Sequence, residues 1–223
     1  MLTVGILCAA AAYFWAVTRR QQTLVYLLKP ATVLLILGLA SSGLARTTAP
    51  GYAWAVVVAL LWSLAGDVFL MLPGVRWFTP GLAAFLVAHL FYIWGLWRLV
   101  PRPFTAFDLV TGIALLLIAL FFYRRLAAGM AHQGQQAMAW PVAAYTAVLS
   151  LMLWRALAPL VQLSGLPVRG ALAALGGLLF FASDAALGWD RFVVPLHWRE
   201  AVVMGTYFAA QYLFALSVAW PPA

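Results

Sequence analysis

Two aspartates lie inside long apolar runs, Asp67 in LLWSLAGDVFLML (60–72) and Asp184 in GLLFFASDAALGW (177–189). A carboxylate placed at that depth costs at least ~2.5–3.5 kcal/mol, so an acid within a membrane span marks a candidate functional site. Each follows a small residue, Gly66 or Ser183, and each has a leucine three positions on, Leu70 or Leu187. Two such acids suit general acid–base work, in which one holds a proton to give and the other stays ionised. They equally suit a proton relay in a small proton-coupled transporter, and the spacing alone leaves both readings open.

Other polar residues sit where the same cavity would need them. Ser63 lies one turn before Asp67 on the same face, where a hydrogen bond between the two is the simplest expectation. Lys29, the sole lysine beside twelve arginines, opens the second apolar run and suits a lipid phosphate as a compact cation. His89 stands in mid-span within FLVAHLFYIW, with Phe85 and Tyr92 on its face; it is placed to bond Asp67 or Asp184 and set which acid keeps its proton. Tyr207 and Gln211 are spaced i, i+4, and Gln211 is deep enough to need a partner; Tyr145 and Ser183 complete the candidate set. Asp108, Asp190, Arg191, Arg199 and Glu200 fall at span boundaries, where solvated charges are expected.

The elements that must hold these residues are membrane helices. Of the 223 residues 66% are hydrophobic and 8% charged, far from the ~25% charged content of a soluble domain. Eight apolar stretches emerge, roughly 2–18, 27–45, 52–72, 80–99, 106–123, 138–159, 169–188 and 198–219. The expected fold is all-α: one polytopic transmembrane bundle of eight spans in a single domain, broken at sites such as Pro50-Gly51, Pro73-Gly74 and Gly165 to Pro167. Met1 to Val17 reads as an uncleaved first span, since no basic residues precede it.

A net charge of +8 comes from arginines at helix ends rather than from a basic stripe, so it reads as membrane anchoring and not nucleic-acid binding. The breaks after odd-numbered spans carry more arginine and lysine than the others, which puts both termini outside and those breaks in the cytoplasm. On that topology Asp67 and Asp184 sit ~6–8 Å inside the same boundary, about four to five residues before their spans end. Arginine-rich, alanine- and leucine-rich composition suggests a bacterial inner membrane. Cys8 is alone, and His89, His132 and His197 lack metal-ligand spacing, so neither a metal nor another cofactor is expected.

Five pieces in order resemble the YhhN-like integral membrane proteins, a family that includes lysoplasmalogenase. They are Lys29-Pro30, SLAGDVFLML (63–72), GLAAFLVAHLFYIWGL (81–96), GLLFFASDAALG (177–188) and YFAAQYL (207–213), and the resemblance runs over essentially the whole chain. The resemblance implies a hydrolase that cleaves the vinyl ether bond of a single-chain phospholipid to a fatty aldehyde and a glycerophospho-headgroup. Such a bond hydrolyses by protonation at its β-carbon and attack of water on an oxocarbenium ion, which is work for two carboxylates. The lipid would enter sideways, its headgroup near Lys29 and Arg76 and its chain between His89, Tyr92, Phe85 and the Phe180–Phe181 wall.

Overall fold

The structure, a computed structural model, describes residues 1–161 and 168–220, so the expected break at Gly165 to Pro167 lies outside the described residues. Within them the chain forms α1 (Leu2–Thr18), α2 (Gln22–Gly43), α3 (Pro50–Met71), α4 (Phe78–Leu99), α5 (Ala106–His132), α6 (Ala139–Leu157), α7 (Val168–Phe192) and α8 (Arg199–Ala219). No strand occurs among the described residues. Helices are what a lipid environment demands, because every backbone N–H and C=O must be satisfied within the segment. Seven of them, α2 to α8, are long and apolar enough to cross a bilayer, and α1 is a 17-residue apolar helix. The protein is therefore an integral, multi-pass membrane protein with an all-helical fold.

Several helices run past the expected spans. α2 begins at Gln22, so Lys29 lies two turns inside it rather than at its start. α5 continues through Arg124 and Arg125 to His132, and α7 continues through Asp190 to Phe192. Charges end an apolar run, but they do not end a helix. α5 stops only where Gly134 takes a left-handed φ of 68°, and α7 stops ahead of Pro195. Asp67 thus precedes its helix end by four residues and Asp184 by eight, so counting from run ends overstated their symmetry.

Two antiparallel hairpins, α3–α4 and α7–α8, make the most extensive contacts, and α2 and α6 fill the spaces beside them. One apolar cluster joins α1, α2, α3, α4, α6, α7 and α8, with Tyr52, Leu96, Phe180 and Phe214 fully buried. α5 stands outside it; Leu116, Leu117, Ile118 and Phe121 face outward, as lipid-exposed residues do. Its second half joins α6 and the end of α7 through a smaller cluster of Leu126, Met130, Val142 and Phe192.

That junction depends on Gly129. A Cβ there would lie 1.7 Å from the Phe192 carbonyl oxygen, on backbone that cannot swing aside. Gly129→Ala should therefore lower stability in detergent by at least ~2 kcal/mol, the scale of overpacking. Gly38→Ala, where nothing lies within 4 Å, should change it by less than ~0.5 kcal/mol. Unfolding midpoints of the two variants measure this, and a wild-type midpoint for the Gly129 variant would refute the α5–α7 contact.

Candidate active site

Both aspartates line one cavity of about 280 Å³ at the end of the bundle where α1, α3, α5 and α7 finish. Each is turned inward by helical periodicity. On α3 the stripe Ser63, Gly66 and Asp67 is buried, while Leu61, Trp62 and Val68 face outward. Gly66 lets α4 come close, since a Cβ there would lie 2.6 Å from the Phe85 ring. On α7, Phe180 and Ser183 are buried and Asp184 and Leu187 line the cavity, whereas Leu175 and Leu178 look outward. α2 contributes Gln22, Val25, Tyr26 and Lys29, and α8 contributes Glu200, Val203, Met204 and Tyr207. Both sets follow the i, i+3, i+4, i+7 spacing of one helix face.

Asp67 has two partners. Lys29 Nζ lies 2.9 Å from Oδ1, and the Tyr207 hydroxyl donates to Oδ2 at 2.5 Å. A cation and a hydroxyl donor on a buried carboxyl favour its ionised form. The expected bond to Ser63 does not form: Ser63 Oγ is buried without a partner, while Lys29 and Tyr207 hold the two carboxylate oxygens.

Asp184 has different company. The Tyr145 hydroxyl donates to Oδ2, and His89 Nε2 faces the same oxygen at 3.5 Å. His89 Nδ1 lies 2.6 Å from the Phe85 carbonyl oxygen, which can only accept, so Nδ1 carries a proton. Nε2 is buried and unpartnered. If both His89 and Asp184 gave up their remaining protons, a ring lone pair would face a carboxylate oxygen. The 3.5 Å approach therefore favours a proton between them, either as Asp184–OH or as the imidazolium. No comparable constraint acts on Asp67.

Behind the cavity wall the side chains pack closely. Ser63, His89, Tyr92 and Gln211 are fully buried and lie outside the lining. Gln211 Oε1 accepts from the Tyr92 hydroxyl, which supplies the partner its depth required, while its Nε2 has none. Tyr92 stacks on Phe214 at 4.2 Å, and His89 lies 4.7 Å from Phe180. This packing leaves no path for a lipid chain between His89, Tyr92 and Phe180. The apolar arm of the cavity runs instead past Phe181 towards Ala119, Phe122 and Leu126 of α5 and Val142 and Leu149 of α6. Ser183 donates to the Val203 carbonyl oxygen at 2.9 Å and ties α7 to α8.

The boundary charges are not merely solvated. Asp190 accepts from Leu196 N at 2.8 Å and pairs with Arg199 at 2.9 Å, and Glu200 accepts from the Tyr13 hydroxyl at 2.9 Å. Arg199, Glu200 and Tyr13 line the cavity and were missed as site residues; the one sequence signal was that Glu200, Val203 and Tyr207 share a helix face. Arg76, expected near the headgroup, is not among the lining residues and sits against the Trp77 ring. At the other end of the bundle Asp108 is buried, closes a capping box with Thr105 and takes a bidentate Arg102, with nitrogen–oxygen distances of 2.6 and 2.8 Å. His132 and His197 are exposed, and no group of three His, Cys, Asp or Glu side chains able to hold a metal occurs among the described residues.

Fold and site together define a polytopic membrane protein with two buried acids on one cavity. A model of the YhhN family matches residues 24–218, so the chain belongs to that family. It is 40% identical over 172 residues to lysoplasmalogenase TMEM86B of Homo sapiens, covering 77% of this chain and 66% of that protein. It is 34% identical over 187 residues to lysoplasmalogenase TMEM86A of Homo sapiens, covering 82% and 72%. A lysoplasmalogenase of Mycobacterium tuberculosis is 32% identical over 164 residues, covering 71% and 58%. The matched part thus spans just under two thirds of TMEM86B, at 66%, and less of the mycobacterial protein. No solved structure matches the chain.

Because Lys29 is the cation on a buried carboxylate, Lys29→Met should destabilise the fold by ~3–5 kcal/mol. Adding Asp67→Asn should restore at least half of that loss, as coupled partners require. Chemical unfolding of the two single variants and the double variant measures the coupling. Additive losses would show that the two side chains do not interact.

Proposed function

We propose that the protein is a hydrolase of the vinyl ether bond in lysoplasmalogen-like single-chain phospholipids, releasing a fatty aldehyde and a glycerophospho-headgroup. The names of its relatives support that substrate class. The observation that carries the chemistry is the unequal setting of the two cavity acids, one paired to a lysine at 2.9 Å and the other facing a histidine ring nitrogen at 3.5 Å.

Asp184 is the proton donor. It passes its proton to the β-carbon of the vinyl ether, and the electron pair of the double bond forms the new C–H bond. The positive charge left on the α-carbon and ether oxygen is an oxocarbenium ion. His89, through Nε2, holds Asp184 in its donor state and acts on substrate only through it. Asp67 faces the developing cation and orients the water that attacks the α-carbon, accepting the proton that water loses. Lys29 keeps Asp67 ionised until that moment. The hemiacetal then collapses: the ether oxygen takes the proton held by Asp67 and leaves as a glycerol hydroxyl, while the hemiacetal hydroxyl gives its proton to Asp184 and its oxygen becomes that of the aldehyde, which returns both acids to their starting states.

The lipid chain occupies the apolar arm towards α5 and α6, where each buried methylene contributes ~0.8 kcal/mol. Tyr145 and Tyr207 orient the acids from either side. The arrangement of one polytopic bundle as a single domain fits a lipid that reaches the cavity from the membrane. Arginine-rich composition favours a bacterial inner membrane as its setting.

Two outcomes check this reading. Purified protein given a lysoplasmalogen in deuterated water should yield aldehyde with one deuterium on the carbon next to the carbonyl, since the β-carbon takes its proton from an exchangeable acid. Unlabelled aldehyde would exclude β-protonation, and proton flux in proteoliposomes without aldehyde would favour transport. Asp184→Asn and Asp67→Asn should each lower turnover at least ~10²-fold while the protein still inserts. Near-normal turnover in either would remove that residue from the mechanism.

A further inference from the structure

The open end of the cavity holds a mixed-charge group that the reaction does not use. Glu200 Oε2 accepts from Tyr13 at 2.9 Å, and Oε1 accepts from Arg199 Nη1 at 3.0 Å. The same guanidinium donates through Nε to Asp190 at 2.9 Å. Two carboxylates therefore share one cation, and the group keeps one uncompensated negative charge. The side chains of Arg199 and Glu200 are 47% and 41% exposed while still lining the cavity, so a ligand in it meets both. Elsewhere this end of a +8 protein is dominated by arginine, which makes a negative rim a local exception.

Distance along the helices supplies an independent constraint. Glu200 precedes Tyr207, the hydroxyl donor to Asp67, by seven residues on α8, which is ~10 Å of helix rise. Gln22 precedes Lys29, the cation on Asp67, by the same seven residues on α2. On both walls the cavity-lining residue near the helix start and the residue that holds Asp67 are thus ~10 Å of helix rise apart. In a glycerophospholipid with an aminoalkyl headgroup, nine bonds separate the ether oxygen at glycerol from the headgroup nitrogen. At the ~1.2 Å per bond of an extended chain that is about 11 Å.

We propose that Glu200 is the headgroup-selecting residue, its carboxylate taking the ammonium of a zwitterionic phosphoamine headgroup while Arg199 beside it takes the phosphate. This rests on the proposed reaction for the identity of the bond held at the acids, but the subsite itself is defined by the rim and its spacing. A headgroup ending in glycerol carries the phosphate charge with no cation for Glu200, so it meets the uncompensated carboxylate charge unfavourably. α1, which supplies Tyr13, precedes the matched family region, so this chain braces Glu200 with an element outside that match.

The test uses full-length protein in mixed micelles with two single-chain vinyl ether lipids that differ only in headgroup, phosphoethanolamine and phosphoglycerol. Wild type should favour the amine lipid at least ~10-fold in kcat/KM. Glu200→Gln should reduce that ratio about tenfold, chiefly through KM for the amine lipid, and Glu200→Asp, which keeps the charge, should retain most of it. Binding of the two saturated alkyl-ether analogues, followed by ligand-induced shift of the unfolding midpoint, separates the subsite from the chemistry. If neither vinyl ether is hydrolysed but the amine analogue binds preferentially and only while position 200 carries a carboxylate, the reaction is wrong and the subsite stands. Equal binding of both analogues by wild type, or an unchanged preference in Glu200→Gln, would overturn the subsite.

Discussion

A buried carboxylate must find a partner or keep its proton, and this constraint organises one end of the bundle. Asp67 is met by Lys29 at 2.9 Å and Tyr207 at 2.5 Å, which ties α3 to α2 and α8. Asp184 is met by Tyr145 and faces His89, which ties α7 to α6 and α4. Those two sets of contacts engage six of the helices. Elsewhere the helix contacts are mostly apolar, with single polar links such as Tyr92–Gln211 and Tyr52–Ser217, and the contacts of the two acids hold the register where the cavity opens.

The asymmetry between the acids has a simple physical origin. Each lies on the first helix of a tight antiparallel hairpin, after a small residue, in a similar apolar wall. What differs is the partner that neighbouring helices deliver. Lysine brings a full charge and has no acceptor, so it favours an ionised Asp67. Histidine, with Nδ1–H committed to the Phe85 carbonyl, brings a lone pair, and it favours a proton on the line to Asp184. On the proposed chemistry this difference separates donor from base.

Much of this was visible in the chain. Composition and run length gave an all-helical membrane protein, and the two aspartates stood out because carboxylates are costly there. Lys29, His89, Tyr145 and Tyr207 were among the candidates, and each is found on an acid. Helix ends were less visible: hydropathy reports where lipid begins, whereas helices continued through Arg124 and Arg125 or through Asp190 until Gly134 or the segment before Pro195 stopped them. Pairings between distant segments were not visible at all. Nothing local joins Tyr13 to Glu200, and Ser63, one turn from Asp67, was displaced as its partner by residues 38 and 140 positions away. Of the residues expected along a lipid chain, Phe85 and Phe181 line the cavity while His89, Tyr92 and Phe180 do not, since ring packing around them is a property of the assembled helices.

The central claim is that, near neutral pH, Asp184 and His89 share one proton beyond that on His89 Nδ1, while Asp67 is ionised. Infrared difference spectroscopy of the protein in nanodiscs, comparing wild type with Asp184→Asn and Asp67→Asn, reads this directly from the C=O stretch of a protonated carboxylic acid and the ring bands of an imidazolium. The account predicts that wild type shows one of these signatures, that Asp184→Asn abolishes the carboxylic acid band if that is the form present, and that Asp67→Asn removes only ionised carboxylate absorption. A protonated carboxyl band that persists in Asp184→Asn and vanishes in Asp67→Asn would contradict it.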